Sequence, residues 1–252
     1  MLNSFDGLLW FVLALLVLLW LQRTLHHEIQ AIFLITTRNP ALTMGLFSVL
    51  FFPGVFLHEL SHFLMAKLLM VRTGGFSLIP HTTDDGRLQL GYVETAQTDM
   101  ARDSLIGIAP LLTGGLTVAL IAIFRLNLLP LWDLVRTAQF DLFWAGLALV
   151  PQVPDFALWF YLTFAVSSTM MPSESDRHAW LPLGLLIASL LALALFAGAG
   201  PWMLATVTPP LNAFLRGAAL VFALSALVHG ALSLPLYGIH RLLTRATGLD
   251  VK

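Results

Sequence analysis

Long apolar runs separated by short polar stretches make up most of the chain. A bilayer's hydrocarbon core takes about 20 consecutive apolar residues in a helix. On that measure six spans are predicted, at about 5–22, 41–70, 103–124, 155–173, 181–205 and 215–238. No basic residue precedes the first run and no small-residue cleavage motif follows it, so it is expected to be retained rather than removed as a signal peptide. Trp10 and Trp20 mark its ends, where interfacial aromatics belong. The second run contains "FFPG", which predicts a kink at Pro53–Gly54. The stretch "RTLHHEIQAIFLITTRNP", residues 23–40, is too polar to cross and is expected at the interface. Asp133, Arg136 and Asp141 make the segment before the fourth span an interfacial or re-entrant helix, broken at Pro151 and Pro154.

One region has the period of a strand. In "GGFSLIPHTTDDGRLQLGYVET" the Asp85-Gly86 pair signals a tight turn, and residues 87–93 partly alternate polar with apolar. The predicted fold class is therefore an all-α polytopic membrane protein of about six transmembrane helices with a small membrane-associated β-hairpin. Three parts follow: 1–40, a span and interfacial segment; 41–178, a core with the hairpin; and 179–252, the C-terminal spans.

Composition agrees: 58% of residues are hydrophobic and 11% charged, against roughly 25% charged in soluble domains. A formal net charge of -1 and the lack of a basic tail give no reason to invoke nucleic acid. With no cysteine, thiolate chemistry is excluded and any metal must be held by His, Asp or Glu. Six spans put the N-terminus on the side of Lys67, Arg72, Arg87, Arg102, Arg177, Arg241, Arg245 and Lys252. Arg23, Arg38, Arg125, Arg136 and Arg216 lie opposite. That bias predicts both termini in the cytoplasm, in a membrane of the bacterial cytoplasmic type.

Within the second span lies "HELSH", residues 58–62. Helical residues four apart differ by about 40° around the axis, so His58 and His62 share a face and meet one ion. Two imidazoles on Zn²⁺ leave room for a third ligand and a water. Glu59, turned by about 100° from His58, stands beside the open position and is suited to be the general base of a hydrolase. Burying these three side chains without an ion would be costly. A third ligand is sought in "MMPSESDRHAW" at the end of the fourth span, where Glu174, Asp176 and His178 are all available. Other polar residues have plainer readings. His26, His27 and Glu28 are expected as interfacial polarity, since adjacent histidines point to different helix faces. His229 and His240 are expected as hydrogen-bonded core or interface residues, and His81 as a solvent-facing part of the hairpin. Ser61 has no arrangement of base and orienting group, which disfavours a serine hydrolase.

The pattern "GVFLHELSHFLMA" resembles the site-2 protease family of intramembrane zinc metalloproteases: Gly54 precedes the first histidine by four residues and Ala66 follows the second by four. The resemblance covers about residues 41–178. It implies that His58, His62 and Asp176 bind one Zn²⁺, that Glu59 is the catalytic base, and that the hairpin edge receives an unwound transmembrane substrate within the bilayer. Two departures mark a divergent member. The family's Asn-Pro-Asp-Gly motif is replaced by Met171-Pro172-Ser173-Glu174-Ser175-Asp176, which leaves Glu174 as a rival ligand. Its Gly-Pro-x-x-Asn becomes Ala109-Pro110-Leu111-Leu112-Thr113. The alternative is a non-proteolytic metal-binding membrane protein acting in binding, assembly or regulation. Metal transport ranks last, because the polar groups collect at one depth.

Overall fold

The computed structural model describes residues 6–79, 81–82 and 88–249. Five of its helices are long and apolar enough to cross a membrane, or six if one bent pair counts as a crossing. The chain is a multi-pass membrane bundle with a small sheet at one end. In order, the helices are α1 (Asp6–Thr37), α2 (Pro40–Leu68), α3 (Met100–Phe124), α4 (Leu129–Arg136), α5 (Phe140–Leu149), α6 (Phe156–Thr169), α7 (Trp180–Phe196), α8 (Gly200–Thr206) and α9 (Thr208–Thr247).

The polar stretch after the first span continues α1 without a break. Its 32 residues extend about 48 Å at 1.5 Å per residue. The polarity is turned inward: Glu28 and His240 of α9 are both buried, with carboxylate and imidazole 2.6 Å apart. Removing one partner of such a pair costs roughly 3–5 kcal/mol. At the other end of the two helices, Asn212 accepts the Gly7 amide at 2.8 Å and Arg216 grips Asp6. These contacts ascend together, so α1 and α9 run parallel, and Asp6 and Thr247 lie at opposite ends of the pair. A six-span count would instead bring both termini to one side. The Phe140–Gln152 and Phe156–Thr169 segments meet at a bend of 98°. Pro151 and Pro154 fall at that break, and α6 alone is only 14 residues long.

The predicted fifth span is likewise divided. Gly198 takes a left-handed conformation (φ 84°), its amide bonding to the Leu195 carbonyl, and Pro201 opens the first turn of α8. In contrast, α2 passes through Pro53 as one uninterrupted helix. Gly54 serves a close approach: a Cβ there would overlap the Ala165 carbonyl and the Thr169 hydroxyl of α6.

Among the described residues the hairpin region forms two short antiparallel ladders. β1 (Thr73–Ser77) pairs with β4 (Tyr92–Thr95), Phe76 opposite Val93 and Ser77 opposite Tyr92; β2 (His81–Thr82) pairs with β3 (Leu88–Gln89). The Asp85-Gly86 turn and Arg87 lie outside the described residues, as does the His81 side chain. The strand predicted over 87–93 is interrupted at Leu90–Gly91, where Leu90 packs onto the core of Leu25, Phe47, Phe51, Val55 and Phe164.

Candidate metal centre

His58 and His62 project from the face of α2 that meets α3 and α6. Their Nε2 atoms lie 3.1 Å apart. Each ring is held from behind by a backbone carbonyl: His58 Nδ1 is 2.6 Å from Thr169 O and His62 Nδ1 is 2.8 Å from Ile106 O. A carbonyl oxygen can only accept, so each Nδ1 carries a proton and donates it. Both Nε2 lone pairs are thereby turned toward one point. Two lone pairs at this distance repel unless a cation lies between them.

Asp176 supplies the countercharge. Its Oδ1 is 3.3 Å from His62 Nε2 and its Oδ2 is 3.7 Å from His58 Nε2. The Ser173 amide donates to Oδ2 at 2.7 Å, fixing the carboxylate's direction. His58, His62 and Asp176 form a group that could hold a metal ion, with ligand atoms all within 4.8 Å of one another. Tetrahedral ligands at zinc distances are separated by roughly 3.3 Å, so the donor spacing suits that ion. The carbonyl behind each imidazole is the usual outer support of a metal-binding histidine.

The sequence explains how those carbonyls become available. In a helix the Ile106 carbonyl would accept the amide of residue 110, but that residue is Pro110, which has none. The oxygen is left for His62. Thr169 ends α6, so its carbonyl has no following helical amide to accept. At Gly107, a Cβ would overlap the Asp176 carbonyl, so this glycine seats the acid against α3. Sequence reasoning missed Ile106, Thr169 and Ser173. Only Pro110, four residues after Ile106, carried a readable signal.

Glu59 is buried and stands outside the three-residue group. It lines the same cavity of about 680 Å³, together with His58, His62, Asp176, Leu90–Val93, Ser168 and Thr169. The cavity continues along α2 past Val55, Phe51 and Phe47 to His26 and Gln30 of α1. Glu174 also lines it, while Asp176 is the acid that meets both imidazoles. His178 turns away, its Nε2 lying 2.9 Å from an Asp103 carboxylate oxygen. His26 packs edge-on against Phe47 and Phe51, and Glu28 belongs to the pair with His240, so these residues form no second metal group. The chain matches no protein-family model, no curated protein and no solved structure.

Proposed function

We propose that the protein is a membrane-embedded zinc metallopeptidase of the site-2 protease kind, hydrolysing a peptide bond in a membrane-spanning substrate. The observation that carries this reading is the convergence of two tautomer-fixed imidazoles and one oriented carboxylate beside a buried glutamate. A divalent ion held there supplies Lewis acidity, polarising a carbonyl and acidifying water. Thr169 and Ile106 hold the imidazoles, and Ser173 holds Asp176. Glu59 takes the proton of the attacking water and passes it to the leaving amine nitrogen. Residues 90–93, lining the cavity above Glu59, offer backbone groups to an unwound substrate segment whose own helical hydrogen bonds have opened. Lys67, Arg72 and Arg102 flank the site and favour a cytoplasmic opening.

Glu59→Gln is the test, with metal content and substrate cleavage measured on the same preparation. Unchanged zinc with cleavage reduced roughly 10²–10⁴-fold is expected. Cleavage at the wild-type rate refutes the assigned base. Metal uptake by the wild-type chain without any cleavage product, across membrane-spanning substrates, would favour the non-proteolytic role.

A further inference from the structure

Hydroxyl side chains in these helices mostly return to their own backbone one turn back. Ser167 bonds Thr163 O at 2.6 Å, Thr169 bonds Ala165 O at 3.1 Å and Ser225 bonds Val221 O at 2.8 Å. Ser168, between the first two, departs from this pattern: its Oγ lies 2.9 Å from His229 Nε2 on α9. His229 is fully buried, and its Nδ1 is 2.7 Å from the Ser225 carbonyl. The proton is therefore on Nδ1, and Nε2 accepts the Ser168 hydroxyl. From the other flank, Gln22 of α1 donates its amide to the Ser168 carbonyl at 2.6 Å.

The last turn of α6 is thus gripped by polar side chains from α1 and α9, neither of which contributes to the metal group. Purely apolar contacts would pack these helices at lower desolvation cost. The grip falls one residue before Thr169, whose carbonyl holds His58 Nδ1. We propose that Gln22 and His229 are positioning residues for the metal ligand His58. By fixing the end of α6 they keep the Thr169 carbonyl behind the imbedded ring and His58 Nε2 directed at Asp176. This gives the first and last spans a task in the metal centre, and it rests on the metal-centre reading above.

The experiment uses the full chain in detergent, comparing wild type with His229→Phe, Ser168→Ala, His229→Gln and Glu28→Gln. Zinc affinity is read by chelator competition, ligand geometry by the visible spectrum of the Co²⁺-loaded protein, and folding by thermal unfolding. His229→Phe and Ser168→Ala each lower zinc affinity roughly tenfold and alter the Co²⁺ spectrum. His229→Gln, which keeps an acceptor for Ser168, recovers most of both. Glu28→Gln weakens another buried α1–α9 contact and lowers the unfolding temperature, yet leaves affinity and spectrum as in wild type. Should His229→Phe fail to fold, Ser168→Ala carries the test alone. Wild-type affinity and spectrum in Ser168→Ala would overturn the positioning role, as would an equal loss in Glu28→Gln. A wild-type chain that takes up no zinc would overturn the metal-centre reading along with it.

Discussion

Replacing Pro110 by alanine separates the stability of α3 from its service to the metal. The substitution restores an amide that competes for the Ile106 carbonyl, now 2.8 Å from His62 Nδ1. Proline inside a helix costs up to about 3 kcal/mol relative to alanine, so α3 should hold or gain stability. The imidazole meanwhile shares a carbonyl it had to itself. Losing the outer support of a metal-binding histidine costs roughly 10–100-fold in affinity. Because the oxygen keeps a second lone pair, the lower end applies: about tenfold, or about 1.4 kcal/mol. Chelator competition measures the affinity, and thermal unfolding of the metal-free chain measures stability. The expected result is weaker zinc binding in a chain no less stable than wild type. Unchanged affinity, or affinity and metal-free stability falling together, would refute the freed-carbonyl argument and leave Pro110 a purely structural residue.

Asp176→Asn should lower zinc affinity by more than about tenfold while Glu174→Gln leaves it within twofold, as judged by the same competition assay; the reverse order would make Glu174 the ligand. Reporter fusions at the two termini should report opposite sides of the membrane, following the parallel contacts of α1 with α9. Fusions on the same side would contradict that packing.

How much of this was legible depends on how far apart the interacting residues lie in the chain. The His58–Glu59–His62 spacing is local to one helix, whereas the residues alone leave Glu174, Asp176 and His178 open at the end of the fourth span. Only the family resemblance points to Asp176, the acid found beside both imidazoles. The continuous α1 was not legible. Its polar residues give no local sign of the contact of Glu28 with His240, 212 positions away. The alternation in residues 87–93 signalled strands but not their break, because Leu90 is drawn into the helical core. Gly198 lies in an apolar run whose composition continues across it, so the division of α7 from α8 rests on one backbone conformation. The imidazole supports were hidden for a different reason. They are main-chain carbonyls, which leave no residue type to search for, and only the missing amide of Pro110 betrays one of them.

Zinc X-ray absorption on the purified full chain, with stoichiometry determined alongside, addresses the metal centre most directly. The account predicts one zinc per chain, with two imidazole nitrogens and a carboxylate oxygen at about 2.0–2.1 Å. A chain that retains no zinc, or a first coordination shell without histidine, would contradict it.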